Sequence, residues 1–276
     1  MVAAANQIQG DGPSDRIKAL VGRYGLPSRA GESLLSLAML LGMDPLAPTA
    51  LRDPMIAVDD HIADSLVALE LGQTRSASKM ADLGAGAGFP GLPLAIALPS
   101  VEMALVESSV RKCAFIERAL VACSVANARV VNARAESWRE GLCAFDLVSA
   151  RALGSLAVVA EYAAPLLRVG GVLIVWRGRR DPGAEAAGSR ACLQLGLKAH
   201  EPIRVKPYSE AEHKHLHLMS KTHETPTAFP RRPGMARKRP LGGLPATATS
   251  AAGVCDERGR PERGEDAIGS PLPQPT

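Results

Sequence analysis

A chain of 276 residues with 46% apolar content can bury a substantial core, and a net charge of +4 excludes a strong, uniform polyelectrolyte. No apolar run approaches the length that crosses a bilayer, and the N-terminus lacks the basic and apolar regions of a secretory signal, so a cytoplasmic protein without a membrane partner is expected. Five scattered cysteines without a C-x-x-C pair point to reduced thiols rather than to a disulfide frame or a zinc site.

Residues 1 to 15 are small and polar, with Gly10, Gly12 and Pro13, and are expected to be disordered. From Arg16 to Leu41 apolar positions recur at helical spacing (Ile17, Leu20, Val21, then Leu34, Leu35, Leu37, Ala38, Leu41), broken at Gly25-Leu-Pro27. A third helix is expected from Met55 to Leu71, so residues 16–75 read as a helical cap. The run Met80 to Asp82 then reads as a buried strand, followed by Gly84, Gly86, Gly88 and Gly91 and by a helix starting near Pro90. Val101–Glu107, Ala128–Asn132 and Asp146–Ala150 read as strands, with helices over Arg111–Val125 and Leu156–Leu167.

A Gly170-Gly171 turn precedes another apolar strand ending at Trp176, Asp181–Gly196 reads as a helix, and Pro202–Tyr208 with His215–Lys221 as a final antiparallel hairpin. This alternation predicts an α/β fold over 76–222, a mostly parallel sheet with helices on both faces. Residues 223–241 carry a basic cluster, and 242–276, without apolar periodicity, are expected to be a disordered tail.

In such a sheet the ligand lies at the carboxyl ends of the strands, where the order reverses. Glycines there let backbone approach a ligand, and the helix that follows offers free N–H groups to an anion. Glu107 ends the second strand, about 20 residues on, where an acid takes the ribose hydroxyls of an adenosine cofactor. NAD and S-adenosylmethionine (SAM) both satisfy this pattern, although Phe89 occupies the position of the third glycine in G-x-G-x-x-G. An NAD(P)-dependent oxidoreductase is therefore one alternative, and a purely structural turn another.

Glu136 follows the third strand and either meets an adenine edge or simply starts a helix. Arg151 ends the fourth strand, where its planar group would stack on a base or clamp a carboxylate; a surface ion pair is the plainer reading. Arg231, Arg232, Arg237, Lys238 and Arg239 suit a polyanion such as RNA, or form a solvated charge run. The set His213, His215 and His217 falls on one strand face but lacks a carboxylate or cysteine to complete it, so no metal is expected. No nucleophile elbow, Ser/His/Asp order or paired-carboxylate spacing stands out. Methyl transfer to a ring nitrogen with a free lone pair would need none of them.

Asp82-Leu-Gly-Ala-Gly-Ala-Gly-Phe-Pro-Gly-Leu-Pro-Leu-Ala-Ile96 closely resembles the first SAM motif of the RsmG family, also called GidB, the bacterial 16S rRNA guanine-N7 methyltransferases. Leu51-Arg-Asp-Pro54 with His61-Ile-Ala-Asp-Ser-Leu66, Ser149-Ala-Arg-Ala-Leu153, Pro165–Gly171, Phe229–Gly234 and Lys238–Leu241 resemble its other segments in order. The resemblance spans Ile17 to Leu241 and implies a Rossmann-like class I SAM-dependent methyltransferase with a seven-stranded sheet. It further implies that Gly84 and Phe89 line the SAM pocket, that Gly86 and Gly88 shape its loop, and that Ala135 and Glu136 lie against the adenosine. Glu107 fits the ribose role and Arg151 would contact cofactor, target guanine or both. The substrate would be a guanine in the 530 loop of 16S rRNA in the small ribosomal subunit, with Arg231, Arg232, Arg237, Lys238 and Arg239 on RNA phosphates. Nothing in the sequence demands a dimer, so a monomer is expected. Two features depart from the family: Arg177 stands where lysine is frequent, and the chain continues past Leu241. A non-catalytic RNA-binding protein with the same fold is the remaining alternative.

Overall fold

The computed structural model describes residues 12–243. The expected disorder of the two ends falls mostly outside these residues. Within them, α1 (Pro13–Tyr24) already begins at Pro13, a residue suited to a first helical turn, and closes at Gly25 with a left-handed φ of 60°. The helix α2 (Ala30–Met43) buries Leu34, Leu37, Ala38 and Leu41. The expected third helix is a composite. It runs α3 (Pro54–Ala57), capped by the Asp53 carboxylate, then a wider π-helical turn Val58–Ala63, α4 (Asp64–Leu66) and a tighter 3₁₀ turn Val67–Glu70. A short α5 (Gly72–Ser76) leads into the sheet.

The strands β1 (Lys79–Leu83), β2 (Glu102–Glu107), β3 (Ala128–Asn132), β4 (Phe145–Arg151) and β5 (Leu167–Arg177) alternate with α6 (Gly91–Ala97), α7 (Val110–Ala122) and α8 (Leu156–Ala163). Two 3₁₀ turns, Ala135–Ser137 and Arg139–Gly141, replace a crossover helix between β3 and β4. After α9 (Pro182–Gln194) come β6 (Leu197–Ala199), β7 (Ile203–Val205), β8 (Lys214–Lys221) and the short α10 (Met235–Lys238).

Hydrogen bonding sets the order β3-β2-β1-β4-β5-β8-β6, parallel from β3 to β5 and antiparallel beyond. The expected hairpin is present as β7 against β8. Eight strands occupy seven positions, because β6 pairs with one end of β8 and β7 with the other. Burial on both faces explains the near-continuous apolar reading of β1, β2 and β4. One apolar cluster joins Leu34, Leu37 and Leu41 of the cap to Leu92, Ile116 and Leu105, so the cap shares its core with the α6/α7 face. A second cluster lies on the α8/α9 face. The strand order reverses between β1 and β4, which opens the ligand crevice at their carboxyl ends.

Candidate cofactor and RNA-binding site

At the reversal point the glycine loop is held by two carboxylates. Asp82 ends buried on β1, in register with Ser149 of β4, and accepts from the Ser149 hydroxyl at 2.8 Å and from the Gly91 N–H at 3.0 Å. Its carboxyl is pushed up to about 7, chiefly by burial, against the pull of those two donors. Glu107, at the end of β2, accepts from the Gly86 N–H at 3.1 Å and the Ser109 N–H at 2.8 Å. The carboxylate expected to meet a ribose is therefore aimed by the loop's own backbone.

Gly84 and Gly86 take left-handed φ values of 66° and 62°, which residues with a side chain rarely adopt. A Cβ on Gly84 would lie 2.6 Å from Leu153 Cδ1. Beside Gly84 opens a cavity of about 230 Å3, lined by Val106, Ser108, Ala135, Glu136, Tyr162 and Arg237 among others. Three expected cofactor residues, Gly84, Ala135 and Glu136, thus share one wall system with the residues flanking Glu107. Main-chain loop, oriented carboxylate and cavity together fit a nucleoside. A larger cavity of about 400 Å3 lies at the opposite edge, near Lys79, Glu102 and Ala128, where the strands begin; it is away from the end at which this fold binds ligands.

Phe89 and Arg151 are displaced from that cavity toward the cap. Phe89 is buried and stacks on His61, with centroids 4.6 Å apart and planes at 21°. The Arg151 guanidinium lies 5.4 Å from the Phe89 centroid. It donates to the Asp64 carboxylate at 2.9 Å and the Asp60 carbonyl at 3.0 Å, and pairs with His61 Nδ1 at 3.2 Å. An arginine only donates, so His61 Nδ1 must accept and Nε2 carries the proton, facing Thr49 Oγ1 at 3.2 Å. Burial, helped by the Arg151 charge, lowers the His61 pKa to about 4 and keeps the ring neutral. Neither a surface ion pair nor an unengaged clamp describes Arg151: it is an internal tie between β4 and the cap.

Asp64 is almost fully buried, with Lys214 Nζ 3.4 Å from its second oxygen and the Trp176 indole N–H on its backbone carbonyl at 2.6 Å. The wide turn Val58–Ala63 brings Asp60, His61 and Asp64 together on this face. The i, i+3 spacing of His61 and Asp64 was a visible signal for such a shared face.

The basic segment divides. Arg231 is bound through two nitrogens to the buried Glu161 carboxylate and donates to the Arg239 carbonyl at 2.9 Å. Its guanidinium is engaged within the fold, at a position where the sequence reading expects a phosphate contact. Arg237 donates to the Leu153 carbonyl at 2.9 Å and lines the cavity. Arg232, Lys238 and Arg239 face solvent. His215 on β8 is bound to the Gly178 carbonyl, and His213, just before the strand, to Arg179. Among the described residues no three His, Cys, Asp or Glu side chains gather as a metal site, and Cys113, Cys123, Cys143 and Cys192 are free thiols. No described helix is long and apolar enough to cross a membrane.

The family model described as "rRNA small subunit methyltransferase G" (GidB) matches residues 48–213. The chain is 36% identical over 199 residues to the ribosomal RNA small subunit methyltransferase G of Desulfitobacterium hafniense (strain Y51), covering 70% of this chain and 81% of that one. It is 38% identical over 203 residues to the protein of the same name from Synechococcus sp. (strain JA-3-3Ab), covering 70% and 78%. The protein of that name from Chloroflexus aggregans is 36% identical over 208 residues, covering 74% and 86%. With the glycine loop, Glu107 and the reversal point in place, the chain belongs to the GidB family of rRNA small subunit methyltransferases.

Proposed function

We propose that this chain transfers a methyl group from SAM to N7 of a guanine in the 530 loop of 16S rRNA, as a cytoplasmic monomer acting on the small ribosomal subunit. The methyltransferase class and SAM follow from the family and fold; the position on the RNA is the finer part of the reading. The observation that carries it is the Glu107 carboxylate, aimed by Gly86 and Ser109 beside the Gly84–Glu136 cavity.

When bound, SAM supplies a methyl group on a sulfonium sulfur. The chain's own residues then bind, orient and exclude water. Gly84 leaves main chain open to the cofactor, Glu107 serves the ribose hydroxyls, and Ala135 and Glu136 serve the adenine. A guanine N7 presents a lone pair in the ring plane and needs no proton removed, so positioning suffices. The titratable groups nearby match that demand: His61 is held neutral between Arg151 and Thr49, and Arg151 is fixed on Asp64. Arg151 is the residue we assign to the reacting side, its guanidinium fixed beside Phe89. Arg232, Lys238 and Arg239 supply phosphate contacts that seat the RNA.

The test uses small subunits reconstituted with 16S rRNA carrying either guanine or 7-deazaguanine in the 530 loop. Label from methyl-labelled SAM should enter the first and not the second, which has a C–H in place of N7. Equal labelling of both would overturn the N7 assignment.

A further inference from the structure

The basic segment after residue 230 was expected to face RNA throughout, yet its residues do two different things. Gly234 donates its N–H to Glu136 Oε1 at 3.2 Å, so the segment is bonded to a residue assigned to the cofactor. Gly234 and Arg237 line the same cavity as Gly84, Ala135 and Glu136. Arg237 also donates to the carbonyl of Leu153, whose side chain fills the space where a Gly84 Cβ would stand. Ala236, between them, is 2% exposed and packs in the α8/α9 core. The segment is pinned from behind by Arg231 on Glu161, a carboxylate only 2% exposed. Arg232, Lys238 and Arg239 point outward from the same stretch.

We propose that the turn and short helix Gly234–Lys238 form a wall of the cofactor cavity, with Arg237 a cofactor-binding residue and Arg231 the positioning residue that holds the wall in place. The proposal rests on the SAM reading above. Inward and outward cations share one short stretch, so a polyanion seated on Arg232, Lys238 and Arg239 also steadies the wall. Cofactor and RNA then tighten each other's binding, by the same factor in both directions.

The experiment is calorimetric titration of the full chain with SAM. Arg237→Ala and Arg231→Gln should each raise the SAM dissociation constant about fivefold or more, the scale of one lost hydrogen bond. Lys198→Ala/Lys206→Ala, an outward pair of exposed cations away from this segment, should leave it within about twofold. Arg237→Ala removes an exposed side chain and so keeps the test valid if Arg231→Gln fails to fold; Arg237→Lys, which retains a donor, should recover part of the loss. An unchanged constant in Arg237→Ala overturns the wall, as does an equal loss in the outward pair, which would reduce the effect to net charge. A parent that does not bind SAM overturns the cofactor reading itself, a result distinct from both. For the coupling, 16S rRNA should tighten binding of S-adenosylhomocysteine, which cannot react, and S-adenosylhomocysteine should tighten RNA binding by the same factor. Constants that do not move overturn it.

Discussion

Gly91→Ala isolates the contact on which the cofactor loop rests. A Cβ built there would lie 2.3 Å from Leu105 Cδ2, 2.8 Å from Asp82 Cβ and 2.9 Å from Asp82 Oδ2. The Leu105 tip is inside the core and can turn only by displacing neighbours. The Asp82 Cβ cannot turn, because it is fixed to the β1 backbone. Forcing one methyl into such a space costs about 1–3 kcal/mol. The gain in helix preference from glycine to alanine is at most about 1 kcal/mol, and less at a first helical residue. The balance is a loss of about 1–2 kcal/mol, and α6 must lift from β1, stretching the Gly91–Asp82 bond and shifting the loop that aims Glu107.

Equilibrium denaturation followed by the fluorescence of Trp138 and Trp176, both buried, reads the change as a lower midpoint at constant slope. Gly22→Ala in α1 is the matched control. Nothing lies within 4 Å of its Cβ, so it should be neutral or stabilise by up to about 1 kcal/mol. A Gly91→Ala midpoint at or above that of the parent would refute the steric argument, and with it the role of Gly91 as the close-packing glycine.

Asp82 makes stability depend on pH. Its folded pKa is raised, so its contribution is complete below the ordinary value of 3.8 and is lost as pH rises through about 7. Stability of the parent relative to Asp82→Asn should therefore fall across that window in urea titrations; a difference that stays flat would contradict the burial argument. Arg151→Gln leaves Asp64 with only Lys214, 3.4 Å away. Removing one partner of a buried ion pair costs about 3–5 kcal/mol, and the remaining cation should reduce this to about 2 kcal/mol, read by thermal unfolding together with weaker methyl transfer. A variant as stable as the parent would show that Arg151 does not hold the cap to β4. Replacing Arg232, Lys238 and Arg239 with alanine should lower the salt slope of RNA binding by about 2, at about 0.7 per single-strand phosphate contact. Arg231→Gln should instead lower the melting temperature; an unchanged slope in the triple variant would remove the segment from the RNA interface.

The central strands β1, β2 and β4 were legible because they are buried on both faces and read as apolar runs bounded by glycine or polar turns; the edge strand β3 coincides with the expected Ala128–Asn132 although none of its residues is buried. The glycine loop, Glu107 and the position of Glu136 were legible for the same local reason. The apolar positions of residues 55–71 keep helical spacing, so locally the segment reads as one regular helix. The wide turn at Val58–Ala63 is tied to β4 through Arg151, and Asp64 just after it to β4 and β5 through Arg151 and Trp176, contacts which no local window contains. Arg151 itself was placed correctly at a strand end, but its partner Asp64 lies 87 residues earlier. The sorting of the basic segment fails for the same reason. Arg231 and Arg232 are neighbours of equal charge, and only Glu161, 70 residues away, makes one internal and leaves the other to solvent.

The most direct test of the central claim is transfer of label from methyl-labelled SAM to small subunits lacking the modification, with the site read by strand cleavage specific for N7-methylguanine. The account predicts a single cleavage, at a guanine of the 530 loop, in the parent, and its loss with Gly84→Val, whose branched side chain would stand against Leu153 at a left-handed backbone position. Label at another nucleotide or another ring atom, or transfer that survives Gly84→Val unchanged, would contradict it.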